Sequence, residues 1–132
     1  MEYQDAALIL DTNALSAAAD ENPGITKILA GAQQLALPVV VIGEYRYGIA
    51  QSRQSVRYRH WLDALITTCR VLEITEQTTH SYAALRSELR QKGKPIPTND
   101  LWIAALCLQH HLPLLSHDRH FDVISGIQRL DW

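Results

Sequence analysis

The sequence predicts an α/β domain built on a parallel sheet, and three observations carry that prediction. Short apolar runs, Leu8-Ile9-Leu10 and Pro38-Val39-Val40-Val41-Ile42 foremost, read as strands buried on both faces. Such runs alternate along the chain with stretches whose apolar residues recur at helical spacing. The chain has 132 residues, 47% of them apolar, which suits one globular domain over residues 1–132 with a single core.

Residues 7–11 read as the first strand and residues 12–19 as a small Ala-rich helix. Pro23-Gly24 punctuates the chain, and residues 24–34 read as a second short helix. The β-branched run at 38–42 is the expected second strand; Gly43-Glu44 ends it and Tyr45-Arg46-Tyr47-Gly48-Ile49 starts another helix. Over residues 53–68, Tyr58, Trp61, Leu62, Leu65 and Ile66 share one helical face. Val71-Leu72-Glu73-Ile74 is a third short strand. Thr75 is the expected N-cap of a helix over 76–91, with Tyr82, Leu85 and Leu89 inward and Gly93 as its stop. After the stiff loop Lys92-Gly93-Lys94-Pro95-Ile96-Pro97, Thr98 or Asn99 is expected to cap a helix over 99–111 that is apolar nearly all round and therefore buried. Pro113-Leu114-Leu115-Ser116 is a fourth strand, and Ile127-Gln128-Arg129-Leu130 a fifth, at the edge. The sequence contains no repeat, low-complexity tract or linker.

Composition excludes several classes. No segment approaches the roughly 20 apolar residues of a membrane span. The acidic start, Met1-Glu2-Tyr3-Gln4-Asp5, lacks a signal peptide's basic region, so a cytoplasmic protein without membrane association is expected. Cys69 and Cys107 form no close-spaced motif and read as reduced core thiols. The formal charge of −2 argues against nucleic acid, yet it turns positive if Asp11, Glu44, Asp100 and Asp118 are neutralised by metal. Arg46, Arg53, Arg57, Arg59 and Arg70 crowd one short region and give a modest basic surface.

Four acids share an unusual placement. Asp11 follows the first strand directly, Glu44 follows the second after one glycine, and Asp118 follows the fourth after Ser116 and His117. In a parallel sheet those strand ends lie on one edge, where open α/β sheets place their ligands. Asp100 opens the buried helix just before the fourth strand and can point its first turn at the same edge. Each acid also has a plainer reading. Asp11 can cap helix 12–19, Glu44 and Asp100 can be first-turn acids favoured by a helix dipole, and Asp118 or Asp122 can cap a short turn around Phe121. Their joint position favours one shared site over four separate caps. Buried carboxylates need compensation, and oxygen donors of this kind suit Mg²⁺ or Mn²⁺. Asp122 and Glu73 lie near strand ends but are less well placed. His110-His111 and His117-x-x-His120 come nearest to a histidine cluster, but no Cys/His spacing of a zinc site is present.

With these residues in view, the pattern resembles the PIN-domain family, and within it the VapC-type toxins of prokaryotic toxin–antitoxin pairs. Asp11-Thr12-Asn13 is similar to the family's opening motif, and Val41-Ile42-Gly43-Glu44-Tyr45-Arg46-Tyr47-Gly48 to its second strand and glutamate. Ile96 through Ala105 is similar to the third acidic motif, and Leu114 through Asp122 to the fourth. Ser116 stands where threonine is commoner, and the hydroxyl is kept. The resemblance implies a three-layer α/β/α domain with a mostly parallel sheet of four to five strands. It also implies a Mg²⁺- or Mn²⁺-dependent endoribonuclease with Asp11, Glu44, Asp100 and Asp118 as metal-binding and catalytic residues. Asn13 and Ser116 would support them by hydrogen bonds. The implied partners are an RNA substrate, a cognate antitoxin and a second copy of the chain. Apolar helical stretches at 12–34 and 43–68, with more apolar surface than a small sheet needs to cover, fit such partners.

Two rivals share the layered architecture. A response-regulator receiver needs an acidic pair after the first strand and a lysine after the last, and neither is present. A phosphatase of the aspartyl-nucleophile class needs a second aspartate two residues after Asp11, where Asn13 stands. A PIN nuclease for RNA processing or DNA without a toxin role, and a PIN-like binding module without catalysis, stay open.

Overall fold

The computed structural model describes residues 7–132; the acidic start read at Met1 to Asp5 lies outside them. Five strands form one sheet in the order β3-β2-β1-β4-β5, and all four neighbouring pairs are parallel. β1 is Ala7–Leu10, β2 Gln34–Pro38, β3 Arg70–Leu72, β4 Leu114–Leu115 and β5 Arg129–Leu130. Between them run α1 (Thr12–Ala19), α2 (Pro23–Ala30), α3 (Val39–Ala50), α4 (Ser55–Ile66), α5 (Glu76–Gln91) and α6 (Thr98–His110). A short 3-10 helix at Arg119–Val123 precedes β5.

Right-handed crossovers put the helices on two faces. The path β1-β2-β3 steps outward in one direction, which places α1 to α4 on one face; the return to β4 places α5 and α6 on the other. The result is a three-layer α/β/α domain. β1 sits at the centre and is buried along its whole length, with Ile9 and Leu10 fully enclosed. The strand order reverses between β1 and β4, so the crevice at their carboxyl ends is the topological switch point.

The second strand departs from the sequence reading. The β-branched run is not a strand: β2 is Gln34–Pro38, and Val39 to Ile42 form the start of α3. Consequently the second helix stops at Ala30, four residues short of its expected end. Register explains the difference. Leu8 pairs with Leu35 and Ile9 with Ala36, so β2 reaches the end of β1 by Pro38, and a strand over 38–42 would overrun its neighbour. Pro38, which has no N–H for the ladder, is tolerated as the strand's last residue and serves as N-cap of α3. Within α3, Val41, Ile42 and Tyr45 are buried and Ile49 is partly buried, one helical face, while Val39 is exposed.

Other elements match their local signals. α5 spans residues 76–91 and opens with a reciprocal Thr75/Thr78 arrangement in which the Thr75 N–H donates to Thr78 Oγ1 at 3.0 Å. It ends at Gly93, φ +66°, with the Lys94 N–H donating to the Leu89 carbonyl at 2.9 Å. α6 buries Leu101, Ile103, Ala104, Ala105, Leu106 and Cys107, as its composition requires. Its N-cap, however, is Pro97; neither Thr98 nor Asn99 caps it, because both lie inside the first turn. His111 closes α6 in the left-handed region. Cys69 and Cys107 are both free thiols. Among the described residues no helix is long and apolar enough to cross a membrane.

Candidate functional site

The first acid is set by strand pairing. β1 and β4 pair Leu10 with Leu115, so Asp11 and Ser116 come next in register, and the Asp11 N–H donates to the Leu115 carbonyl at 3.1 Å. Side by side at the strand ends, the fully buried Ser116 Oγ donates to Asp11 Oδ2 at 2.6 Å. The other carboxylate oxygen, Oδ1, accepts from the Thr12 N–H at 2.8 Å. Asp11 is therefore both the N-cap of α1 and a buried acid at the switch point. Burial holds its carboxyl above the usual carboxylate range, opposed by the Ser116 and Thr12 hydrogen bonds and reinforced by the charges of Glu44 and Asp118.

Ser116 also orders the segment beyond β4. Its Oγ accepts from the Asp118 N–H at 2.9 Å, and Asn13 Nδ2 approaches it at 3.5 Å. Asn13 Oδ1 accepts from the His117 N–H at 3.2 Å, tying the first turn of α1 to the same segment. Asp118 caps the 3-10 helix by accepting from the His120 N–H at 2.9 Å. Arg129, only 14% exposed, braces this region from β5. It donates to the Ser116 carbonyl at 3.1 Å and bridges Asp122, at 2.8 and 3.0 Å, to Asp131, at 2.8 Å. Asp122 is thereby spent on a structural ion pair, in keeping with its poorer placement in sequence.

Glu44 reaches the site from the second turn of α3, not from a strand end. Two contacts hold its carboxylate: Thr12 Oγ1 donates to Oε1 at 3.0 Å and Asn99 Nδ2 to Oε2 at 3.2 Å. Asp100, in the first turn of α6, lies beside the 3-10 helix. His120 Nδ1 is 3.3 Å from Asp100 Oδ2 and 3.0 Å from Asp118 Oδ1. Burial raises the Asp100 carboxyl, His120 opposes the shift, and the charges of Asp11 and Asp118 add to it.

All four acids singled out in the sequence thus converge on one crevice, and Asn13 and Ser116 bond within it. Three supporting residues escape the sequence reading. Thr12 and Asn99 hold Glu44, and each stands next to a motif acid. His120 joins Asp100 and Asp118 in a group whose donor atoms all lie within 4.8 Å of one another. The spacing His117-x-x-His120 is plain in the sequence, but a zinc pattern is the wrong test for a single imidazole among carboxylates. The other histidine of that pair turns away: His117 bonds to Asp131 and stacks on Trp132 at 3.4 Å. The arginine group expected at 46–70 is partly spent, since Arg46 pairs with Asp63 at 3.1 Å and Arg70 contacts His110.

The donor set fits a divalent cation. Asp11 and Asp100 are both raised by burial and by like charges, and among the described residues His120 is the one basic side chain that opposes this at either. Such a cluster is short of positive charge, and its hard oxygen donors match Mg²⁺ or Mn²⁺.

Comparison with known proteins agrees with this architecture. Ribonuclease VapC2 of Rickettsia felis is 27% identical over 129 residues, covering 94% of this chain and 96% of the relative. Ribonuclease VapC5 of Mycobacterium tuberculosis is 27% identical over 95 residues, covering 70% of each. The crystal structure of VapBC2 from Rickettsia felis bound to a DNA fragment from their promoter contains a chain that superposes with a TM-score of 0.84 at 26% identity, covering 96% of this chain and 99% of that one. The PIN-domain family model matches residues 8–127, from β1 to the threshold of β5, and the chain belongs to the PIN-domain family.

Proposed function

We propose that this protein is a VapC-type toxin, a Mg²⁺- or Mn²⁺-dependent endoribonuclease that works in the cytoplasm as a homodimer and is restrained by a cognate antitoxin. The observation that carries this reading is the convergence of Asp11, Glu44, Asp100 and Asp118 at the switch point, in a chain collinear with a VapC ribonuclease over 94% of its length.

Asp11 and Asp100 would hold the principal ion, with Asp118 and His120 beside them. When bound, such an ion lowers the pKa of a coordinated water and neutralises charge on the phosphoryl oxygens. The chain's own residues do the positioning. Ser116 and the Thr12 N–H fix the Asp11 carboxylate at both oxygens. Thr12 and Asn99 hold Glu44 where it can orient the attacking water and take its proton. Asp118, locked by its capping bond, sets the spacing to Asp100.

Two features support the protein partners. The Rickettsia felis chain was crystallised as VapBC2 on promoter DNA, and VapBC-5 of Mycobacterium tuberculosis is a member of the VapBC family of toxin–antitoxin systems. Here, Tyr47 and Val56 on α3 and α4 are 73% and 55% exposed, and a cavity of about 310 Å³ beside Glu44 is walled by Ser16, Tyr45, Gly48 and Tyr58.

The test incubates pure protein with total RNA and with DNA, in Mn²⁺ and in EDTA. Cleavage of RNA alone, lost in EDTA and in Asp11→Ala and Asp100→Ala, is the expected result. Undiminished cleavage in EDTA or in either variant overturns the assignment. Cleavage of DNA favours a PIN nuclease outside any toxin role. Light scattering reads the dimer directly.

A further inference from the structure

Basic residues gather on one flank of the crevice, away from the arginines of α4. Arg86 and Arg90 lie one helical turn apart on α5, about 6 Å along its axis. Both line a cavity of about 400 Å³ whose other walls are Leu89, Pro95, Ile96, Thr98 and Leu101. Among the described residues no carboxylate lines it. Pro95 and Ile96 form a shared wall: on their far side a second cavity, about 370 Å³, is bounded by Lys94, Arg119, Asp118 and His120. An apolar basin flanked by two guanidinium groups therefore adjoins the acidic centre across a single ridge.

Arg86 is held in place. Its Nη1 donates to the Tyr82 hydroxyl at 2.6 Å, and Tyr82 stacks on Trp102 at 3.8 Å. Arg86, Arg90, Lys94 and Arg119 form no salt bridge among the described residues, whereas nearby Lys92 is taken by Glu88 at 3.6 Å. Arg86 and Arg90, free of salt bridges among the described residues and set on an apolar basin, match a phosphodiester strand with an unpaired base turned inward.

We infer that the cavity between α5 and the 92–97 loop receives one unpaired nucleoside of the RNA substrate, a short way along the strand from the scissile phosphate. Arg86 and Arg90 grip the phosphates on either side of it, the base lies against Leu89, Ile96 and Leu101, and Lys94 and Arg119 carry the backbone across the ridge. This rests on the ribonuclease reading above and adds where the RNA lies.

The experiment compares two charge-matched double variants, Arg86→Gln/Arg90→Gln and Arg46→Gln/Arg70→Gln, the second pair already engaged by Asp63 and His110 and lining neither cavity. Binding of a fluorescent single-stranded RNA of about 12 nucleotides is measured against salt in an Asp100→Asn background; cleavage is measured in the otherwise wild-type protein. For the α5 pair, KM rises about tenfold with kcat held, the mark of lost uniform binding. The slope of log affinity against log salt becomes shallower by about 1.4, two phosphate contacts' worth. Ile96→Trp, which fills the basin without altering charge, weakens binding but leaves the slope unchanged. The Arg46/Arg70 pair matches wild type in both. If the two doubles behave alike, or Ile96→Trp binds like its parent, the nucleoside site is refuted while the nuclease assignment stands. If wild type fails to cleave RNA with metal, the nuclease assignment fails, and the binding curves still decide whether α5 holds RNA.

Discussion

Removing the Ser116 hydroxyl tests how the site tolerates a buried carboxylate. Ser116 is fully buried, and its Oγ serves the Asp11 carboxylate at 2.6 Å and the Asp118 N–H at 2.9 Å. Hydrogen bonds to charged groups contribute about 1.5–3 kcal/mol, and a partner left unsatisfied in the interior adds its desolvation penalty. Ser116→Ala should therefore destabilise the metal-free protein by about 3 kcal/mol, a fall in Tm of about 10 °C for a chain of this size. The loss should depend on pH. Asp11 already titrates above the unfolded value, so its ionised form weakens the fold at neutral pH, and the penalty fades as pH falls through the raised pKa. Losing Ser116 raises that pKa further, so the variant begins to recover at a higher pH than wild type. Calorimetry in EDTA between about pH 7.5 and 5.5 should show the gap in Tm narrowing as pH falls. Ser116→Thr, which keeps the hydroxyl, should follow the wild-type pH profile even if its methyl lowers Tm throughout. The reasoning is refuted if Ser116→Ala melts within about 2 °C of wild type, or if the gap does not change with pH.

Two further predictions concern stability. Asp100 and Asp118 present donor atoms within 4.8 Å of each other, a repulsion of about 3.5 kcal/mol at that separation and an effective dielectric near 20, reduced by screening and by the neighbouring His120. Asp100→Asn should be inactive yet melt about 2–6 °C higher than wild type in EDTA, and Mg²⁺ or Mn²⁺ should raise the wild-type midpoint more than the variant's; a lower melting variant with no metal shift in either protein would make Asp100 a structural cap. The Tyr45 hydroxyl is buried without a hydrogen-bond partner among the described residues, so Tyr45→Phe removes an unmet polar group and should raise Tm by about 2–5 °C, a gain that differential scanning calorimetry would detect or refute.

How far the sequence could be read depended on where the deciding interactions lay. α1 and α5 were legible because their signals are local: an Ala-rich stretch after Asp11, a threonine cap at Thr75, a glycine stop at Gly93. The β2–α3 boundary was not. Val39-Val40-Val41-Ile42 has strand composition, and only its register against β1 and β3, which lie far apart in sequence, forces the chain to turn helical at Pro38. The acids were found despite this error because α3 begins at the same sheet edge where the expected strand would have ended. His120 was missed because its role arises from the fold: an exposed histidine acquires a function only when α6 brings Asp100 beside the 3-10 helix.

That boundary divides the crevice mechanically. Asp11, Ser116 and Asp118 ride on the sheet, clamped by ladder hydrogen bonds and by Arg129 from the last strand. Glu44 rides on α3, a helix that leaves β2 at Pro38 and packs on α1, α4 and α6, and among the described residues its carboxylate is held by Thr12 and Asn99. A body that leaned on the outer face of α3 or α4 would swing Glu44 away like a jaw on a fixed anvil, leaving the sheet-borne acids in register. The four acids are thus carried by three different supports, the sheet edge for Asp11 and Asp118, α3 for Glu44 and α6 for Asp100.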